Sequence, residues 1–432
     1  MRGRIPSVLA VLLALVLGPG RARCEVEPIE LPPFNDPAES VAVAIPEPTA
    51  LAVQFHQTGR WVWAFGRFWG MAVPFALLVT GASARLRDFA SRLSRGSTYG
   101  TVTLYVVLFL VFVYLVGFPW RFYAGYVRQH AYGLSNQTFA KWLTDGVLAL
   151  GVDLVGAITL AWLPFLLIRR YPRIWWLITA VGSVPFFAFV MLITPLWIDP
   201  LFNDFGPMRD KALEGKILAL AARAGIDEGR VFEVNKSVDT KAANAYVTGF
   251  LDSKRIVLWD TLLTKFDERQ VLAVMGHEMG HYVRNHVVKA IAFASIVVLI
   301  ALFWTDRVGR WLIGRYGERW GIRSLSDVAA TPLILLLIGS SSIVLAPISL
   351  AYSRHQEREA DRFALDLTGL NHSAAQAFAS FQRENLGIPQ PSLFYKVFRS
   401  THPSIAERIT FCNTYRPTPW LGDSKVKDIT PD

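Results

Sequence analysis

Residues 274–281 read Val-Met-Gly-His-Glu-Met-Gly-His and lie within a long helical pattern. His277 and His281 are four residues apart, so both imidazoles project from one face of a helix. Two imidazoles placed in this way can share a zinc ion at about 2.0–2.1 Å each. Glu278, beside the first histidine, can accept a proton from the hydrolytic water. This HExxH arrangement is typical of metalloproteases, and it predicts His277 and His281 as metal ligands and Glu278 as the general base.

A catalytic zinc ion needs a third protein ligand, which the residues directly after the motif do not supply. A metzincin would place a histidine where this chain has Val287, and His286 lies one residue short. Downstream, Glu357 and Asp361 are four residues apart on a helical pattern. One of them can bind zinc while the other accepts a hydrogen bond from a ligand histidine. Glu359 competes as a ligand but points to another face, and a solvated charged helix is the remaining alternative.

The composition of the 432-residue chain indicates a membrane protein. Mean hydropathy is +0.33, 52% of the residues are hydrophobic and only 18% are charged. The formal net charge is +10, but the arginines lie in short stretches between apolar runs and no recognition motif accompanies them, so nucleic-acid binding is not expected. The two cysteines, Cys24 and Cys412, make neither a disulfide framework nor a cysteine zinc site.

The apolar pattern separates membrane-spanning segments from the rest. Residues 1–24 have a basic start and a short apolar run, as in a signal peptide or a signal anchor, and residues 25–63 are predicted to be a linker. Six longer apolar segments follow, and each is near the ~20 residues that a spanning helix needs. They lie at 64–83, 101–119, 146–168, 174–198, 287–304 and 330–352.

Two further stretches have the composition of a soluble domain, and we interpret them as the two parts of one catalytic domain. The first part is 199–286, which contains the HExxH motif, and the second is 353–432, which contains the candidate third ligand. The N-terminal membrane helices occupy 64–198, and a transmembrane helix pair at 287–352 joins the two parts. The predicted fold is a mainly α, polytopic membrane protein with a small α+β catalytic domain of the zincin type.

Local signals place a few elements in the first catalytic part. An amphipathic helix is predicted from Lys211 to Ala224, and Asp267 with Gln270 resembles a capping box at the start of the HExxH helix. Between them, β-branched and aromatic runs bounded by turn residues predict three strands. These strands are Arg230–Lys236, Asn244–Phe250 and Lys254–Asp260.

Several further motifs occur in the order found in one family of membrane proteases. They are Tyr-Gly-Leu-Ser-Asn-Gln-Thr at 132–138, Ile-Asp-Pro-Leu-Phe-Asn-Asp-Phe at 198–205, Asn-Ala-Tyr at 244–246, Arg-Ile-Val-Leu-Trp-Asp-Thr-Leu-Leu at 255–263, Glu-Arg-Glu-Ala-Asp at 357–361 and His-Pro-Ser-Ile-Ala-Glu-Arg-Ile at 402–409. Together with His-Glu-Met-Gly-His they resemble the CAAX prenyl protease 1 (Ste24-type) members of the M48 metallopeptidases. The resemblance extends from about Tyr132 to Ile409.

The resemblance implies a fold and a complete metal site. The implied fold is a ring of transmembrane helices around a large chamber that the zinc site caps. Glu357 becomes the third ligand beside His277 and His281, and Asp361 becomes the partner of a ligand histidine. One Zn²⁺ per chain is the implied cofactor.

The same resemblance implies roles that spacing alone does not indicate. His402 and Arg408 would contact the scissile carbonyl or the oxyanion, and donors aimed at developing charge typically contribute ~10²–10³ in rate. Without the family, His402 would be interpreted as a surface histidine before a proline. Asn244 and Ala245 would hold the substrate backbone along an edge strand by β-augmentation.

The expected partners are a polypeptide substrate and the lipid bilayer, and the oligomeric state is not predicted. The substrate is a prenylated tail or, in the alternative, a misfolded or secreted polypeptide cleaved in membrane quality control without CAAX specificity. A function of another class is an inactive membrane scaffold or transporter built on the same fold. That function predicts a lost ligand or base, whereas all four residues, His277, Glu278, His281 and Glu357, are present.

The distribution of arginines predicts the sidedness of the catalytic domain. Every second segment between the apolar runs is basic, and the positive-inside rule places these segments in the cytoplasm. The basic segments carry Arg85, Arg87, Arg92 and Arg95, then Arg169, Arg170 and Arg173, then Arg307, Arg310, Arg315, Arg319 and Arg323. The catalytic parts fall on the other side, so an extracytoplasmic catalytic domain is expected, although Arg121 and Arg128 make one loop on that side basic.

Overall fold

The computed structural model describes residues 30–226, 229–248 and 255–420. The predicted leader at 1–24, with Cys24, lies outside these ranges, as do residues 421–432 at the end of the predicted second catalytic part. Within the described ranges the protein is mainly helical, with one small sheet.

In the part of the chain that the structure describes, five α-helices precede the sheet, and a helical hairpin separates the two parts of the catalytic domain. The first helices are α1 (Ala50–Val79), α2 (Ala82–Leu93), α3 (Thr98–Ala131), α4 (Phe139–Arg170) and α5 (Trp175–Leu201). The next elements are β1 (Phe205–Pro207), α6 (Lys211–Arg223), β2 (Arg230–Val234), β3 (Ala245–Thr248), β4 (Arg255–Trp259), α7 (Asp260–Lys265) and α8 (Glu268–Val283). The last are α9 (His286–Trp320), α10 (Thr331–Thr368), α11 (Asn371–Glu384), α12 (Leu393–Phe398) and α13 (Ile405–Thr414).

Six helices in the described ranges are long and apolar enough to cross a membrane: α1, α3, α4, α5, α9 and α10. This number confirms the six predicted apolar segments. The first helix begins at Ala50 rather than at residue 64, because the Thr49 side chain caps it by accepting a hydrogen bond from the Ala52 N–H at 3.1 Å. The predicted linker at 25–63 is therefore wrong over its last part, 50–63, which is helical.

Two of the predicted arginine-rich loops are also helical. Arg85, Arg87 and Arg92 lie on α2, and the arginines from Arg307 to Arg319 lie on the last turns of α9. The α9 arginines are exposed while Trp320 beside them is buried, so the helix continues as an amphipathic one past its apolar run. It ends where Gly321 adopts the left-handed conformation with φ of 71°.

The strands predicted from the sequence are confirmed as β2, β3 and β4, and the sheet order is β1-β2-β4-β3. β2 and β4 are parallel, and the other pairs are antiparallel. β1 was not predicted, because it is three residues long and contains Gly206 and Pro207. Among the described residues β3 is an edge strand that pairs with β4 on one side, and it also contacts α8.

The catalytic core is one hydrophobic cluster to which the sheet and the helices α6, α8, α10, α11 and α13 contribute. Leu258, Met275, Phe363 and Ile409 are fully buried there, each from a different element. Asp267 caps α8 by accepting a hydrogen bond from the Gln270 N–H at 2.9 Å. Gln270 turns its own side chain to Gln376, so only half of the predicted capping box forms.

Candidate metal centre

Close packing of α8 against α10 brings the two halves of the site together. Gly276 and Gly280 flank the HExxH histidines on the face of α8 that contacts α10. A Cβ on Gly280 would lie 3.1 Å from the Ala360 Cα, and one on Gly276 would lie 3.0 Å from the Thr368 side chain. Both distances are tighter than a Cβ usually makes, so glycine at these two positions favours the close approach that places Glu357 and Asp361 of α10 beside the histidines of α8.

His277, His281 and Glu357 meet at one point, as predicted. The His277 and His281 Nε2 atoms are 3.2 Å apart, and they lie 3.3 Å and 3.5 Å from the Glu357 carboxylate oxygens. In a tetrahedral zinc site with bonds of about 2.1 Å, neighbouring ligand atoms are about 3.4 Å apart. The Glu357 Oε2 atom is buried and has no hydrogen-bond partner in the described ranges. The spacing and the unsatisfied oxygen both fit a bound cation.

The two histidines differ in their electrostatic environment. Burial lowers the pKa of His281 to about 3, which keeps that imidazole neutral as a metal ligand must be. Burial also opposes a charge on His277, but the hydrogen bond to Asp361 and the nearby Glu357 carboxylate outweigh it and raise its pKa to about 10. A metal ion bound by His277 would have to displace this proton, because a ligand imidazole is neutral.

Asp361 fixes the orientation of His277. The Asp361 Oδ1 atom lies 2.8 Å from the His277 Nδ1, which leaves Nε2 facing the other ligands. Arg408, on α13, donates to both oxygens of Asp361 at 2.5 Å and 2.9 Å. Two of its three guanidinium nitrogens are thus engaged. The geometry favours a positioning role for Arg408 over the expected contact with the scissile carbonyl, which stays a prediction.

Glu278 lines a cavity that His277, Asn244 and His402 also line. Desolvation raises the pKa of Glu278 to about 7, and the positive charge of His277 and the backbone N–H of Val247 oppose this rise only in part. A carboxylate with a pKa near 7 can take up and return a proton near neutral pH. Asn244, directly before β3, lines the same cavity, whereas the Ala245 side chain is buried.

His402 approaches the metal-site residues from the loop before α13. Its Nε2 lies 3.3 Å from the Glu357 Oε2, and about half of its side chain (53%) is exposed. Because it faces the site and stays accessible, His402 can contact a substrate bound there. This position argues against the alternative of a surface histidine remote from the site.

His286, which the sequence analysis noted without assigning it a role, is a neighbour of the site. Its Nδ1 lies 2.9 Å from the His281 Nδ1, and its Nε2 lies 3.3 Å from the Glu359 carboxylate. Glu359 thus contacts His286 rather than the ligand group, in agreement with its predicted position on another face. A separation of five residues does not by itself predict a contact between two histidines. His286 reaches His281 because Asn285, between α8 and α9, adopts φ of 54° and turns the chain back.

Comparison with known families agrees with this geometry. The chain matches the CAAX prenyl protease N-terminal family, described as five membrane helices, over residues 52–204, and peptidase family M48 over residues 207–415. It is 37% identical to the uncharacterized metalloprotease YhfN of Bacillus subtilis, over 86% of this chain and 87% of that protein. The chain belongs to peptidase family M48.

Eukaryotic relatives and a solved structure define the branch of this family. The CAAX prenyl protease 1 of Saccharomyces cerevisiae is 28% identical over 68% of each chain. The crystal structure of Ste24p from S. mikatae has the same fold, with a TM-score of 0.74 and 24% identity, and covers 83% of this chain and 87% of that one. The M48 protein is therefore a multi-pass membrane metallopeptidase of the CAAX prenyl protease (Ste24) type, and the predicted fold class is confirmed.

Proposed function

We propose that this M48 protein is a zinc-dependent endopeptidase that hydrolyses polypeptides at or near the membrane. The convergence of His277, His281 and Glu357 at tetrahedral spacing carries the proposal. Two neutral nitrogens and one carboxylate oxygen are a donor set that suits zinc, with a fourth position left for water. When bound, zinc lowers the pKa of water and polarises a carbonyl.

The chain's own residues supply the remaining chemistry. Glu278 accepts the proton of the attacking water and returns it to the leaving amine, for which its pKa near 7 is suited. Asp361 and Arg408 keep His277 in the orientation that presents Nε2. His402 faces the site from the loop before α13. It donates a hydrogen bond to the carbonyl oxygen of the substrate as negative charge develops on that oxygen.

The open edge of β3 supports an extended polypeptide as the substrate. A peptide added to this edge would lie along the cavity that Asn244, Glu278 and His402 line. Backbone pairing of this kind is independent of side-chain sequence, so it suits both a prenylated tail and a misfolded membrane polypeptide. This pairing does not depend on a prenyl group, and the quality-control alternative therefore stays open.

Removal of the metal tests the function. Dialysis of the purified protein against 1,10-phenanthroline should abolish cleavage of a quenched-fluorescence peptide library, and one equivalent of zinc per chain should restore it, because the ligand set is single. Protein treated with the non-chelating isomer 1,7-phenanthroline is the control. Cleavage that persists at undetectable metal content would refute a metallopeptidase mechanism.

The extracytoplasmic orientation is part of the proposal, and the path of the helices supports it. α1 is about 45 Å long at the usual rise, enough to cross a bilayer. Its first turns contact the catalytic domain, where the His56 and Tyr395 rings lie 4.4 Å apart between centroids, and Leu78 in its last turns belongs to the same hydrophobic cluster as Trp320. This path supports α1 as a spanning helix despite Arg67 and Pro74.

The arginine-rich segments gather at the end of the bundle that lies away from the metal centre. Arg87 of α2 hydrogen-bonds the Gly321 carbonyl at 3.0 Å and pairs with Asp327, and Arg310 of α9 donates to the Pro172 carbonyl. α9 starts at His286, beside the metal centre, and ends at these arginines. If this basic end faces the cytoplasm, the metal centre faces the opposite side.

Cysteine labelling in intact cells tests the sidedness. Lys211→Cys on α6 should react with a membrane-impermeant maleimide from outside, because its side chain is exposed on the catalytic domain. Ser324→Cys, exposed at the arginine-rich end, should react only after permeabilisation and is the matched control. The reverse pattern would overturn the orientation but leave the metal centre unaffected.

A further inference from the structure

His286 is a buried histidine beside the metal centre that the proposed mechanism does not use. It is the first residue of α9 and is only 3% exposed, and it does not belong to the group of ligand atoms that His277, His281 and Glu357 form. Its Nδ1 lies 2.9 Å from the Nδ1 of His281. Two nitrogens at this distance share a hydrogen bond, so one ring donates and the other accepts. The direction of this bond decides what His286 does to the ligand.

The metal-facing atom of His281 fixes that direction. The His281 Nε2 lies 3.2 Å from the His277 Nε2 and 3.5 Å from the Glu357 carboxylate, so Nε2 is the atom that can bind a cation. A ligand imidazole is neutral, and its one proton is on the nitrogen that does not bind the metal. The His281 Nδ1 therefore donates the hydrogen bond, and the His286 Nδ1 accepts it.

The other side of the His286 ring agrees with this assignment. With Nδ1 as the acceptor, a neutral His286 has its proton on Nε2. This atom lies 3.3 Å from the Glu359 carboxylate, which attracts an N–H group, although Nε2 is not aligned for a hydrogen bond with any described residue. The opposite tautomer would direct an N–H group of His286 at the N–H group of His281 and a nitrogen lone pair at the carboxylate. Both of these contacts are repulsive.

The backbone at His286 is held so that the ring has a fixed position. Gln356, a buried residue of α10, donates from its side chain to the His286 carbonyl at 3.3 Å. The His281 and His286 rings meet edge to face, with centroids 5.0 Å apart and an angle of 73° between the ring planes. Because Glu357 follows Gln356 in the chain, α10 holds both a metal ligand and the residue that orients a second ligand.

We propose that His286 is a positioning residue for His281, whose Nδ1 proton it accepts so that Nε2 stays free and directed at the metal. Asp361 has the same relation to the His277 Nδ1, so each ligand histidine has its own acceptor, a carboxylate for one and a neutral ring for the other. The inference rests on the proposed zinc peptidase and adds to it a fifth residue that sets metal affinity. Glu359 lies one contact further out and is 37% exposed, so water can replace it.

Zinc affinity of the purified protein, measured by competition with a fluorescent chelator, tests the inference. His286→Leu removes the acceptor, and we expect it to lower zinc affinity by about 10- to 100-fold. His286→Asn places a side-chain oxygen near the position of Nδ1, so its affinity should stay within about threefold of the wild-type value. A role in packing alone predicts the reverse order, because leucine fills a buried apolar space better than asparagine does. Thermal unfolding of the zinc-free proteins measures that packing role separately.

The matched control is His355→Leu. His355 lies 3.7 Å from the same Glu359 carboxylate but is 65% exposed, so its replacement should leave zinc affinity unchanged. Cobalt(II) in place of zinc gives a spectroscopic readout, since its visible absorption depends on ligand geometry. The spectrum should change in His286→Leu and match that of the wild-type protein in His286→Asn.

The outcomes separate failure of the inference from failure of the proposed function. Wild-type zinc affinity in His286→Leu, or equal losses of affinity in the leucine and asparagine variants, would overturn the inference. A wild-type protein that binds one zinc ion but cleaves no peptide would refute the peptidase, while the difference between the two His286 variants would still uphold the positioning role.

Discussion

Glu278→Gln should lower kcat by about 10²- to 10⁴-fold, the contribution of a positioned general base, and should leave the bound zinc in place. Glu278 follows the ligand His277 in the chain and lines the cavity, but it does not belong to the group of three residues whose ligand atoms meet, His277, His281 and Glu357. Glutamine has the same shape as glutamate, so the variant keeps the packing of the cavity wall. It cannot accept a proton from water. The measurement is peptide hydrolysis with zinc content determined on the same sample.

The matched control for this variant is Glu268→Gln. Glu268 lies at the start of the same helix, α8, where it is paired with Lys216 at the surface. Its replacement should change neither kcat nor zinc content, since an exposed ion pair contributes little to stability. Zinc at full occupancy together with wild-type turnover in Glu278→Gln would falsify the assignment of the base. Loss of zinc in that variant would instead mean that Glu278 belongs to the ligand group.

The sequence predicted the elements whose signals are local. The four-residue spacing of His277 and His281 is sufficient to place both on one helical face, and the six apolar runs are sufficient to count the spanning helices. β-branched residues between turns located β2 and β4. In each case, neighbouring residues contain the whole signal, so no knowledge of the tertiary structure was needed.

Features that depend on tertiary contacts were not predictable in this way. The glycines at 276 and 280 are ordinary helix residues in the sequence, and their role becomes visible only where α10 packs against them. His286 reaches His281 because Asn285 turns the chain back, a conformation that has no local signature. The pairing of Arg408 with Asp361 joins residues that are 47 positions apart.

The arginines of α2 and α9 are a second case in which the sequence pattern did not predict the secondary structure. Runs of charge after an apolar segment predict the end of a membrane span, and this part of the prediction agrees with the positions of Arg87 and Arg310 at one end of the bundle. The charge pattern cannot tell a loop from a helix that continues into water. α9 continues because its buried face, at Gly309, packs against Leu325 and Leu337. Both leucines belong to the segments that follow α9 in the chain.

Glu357→Ala should remove most of the bound zinc, whereas Glu359→Ala should not. Glu357 contributes one of three ligand atoms that lie within 4.8 Å of one another, whereas the Glu359 carboxylate lies 3.3 Å from His286 and 4.0 Å from Lys289, outside that group. The loss for Glu357→Ala should exceed the roughly 10- to 100-fold decrease in affinity that is typical when an outer partner of a ligand is removed. Competition with a fluorescent zinc chelator measures all the variants on one scale.

Asp361→Asn should fall between these two glutamate variants, with zinc affinity lowered by about 10- to 100-fold. Asparagine can still accept the hydrogen bond from His277 but no longer neutralises Arg408, and an unpaired buried charge costs about 3–5 kcal/mol. Thermal unfolding therefore has to accompany the zinc titration, because a shared decrease in stability and affinity identifies the ion pair as the cause. If Glu359→Ala loses more zinc than Glu357→Ala, the assignment of the third ligand is wrong, and the Glu359 carboxylate must reach the metal through a rearranged α10.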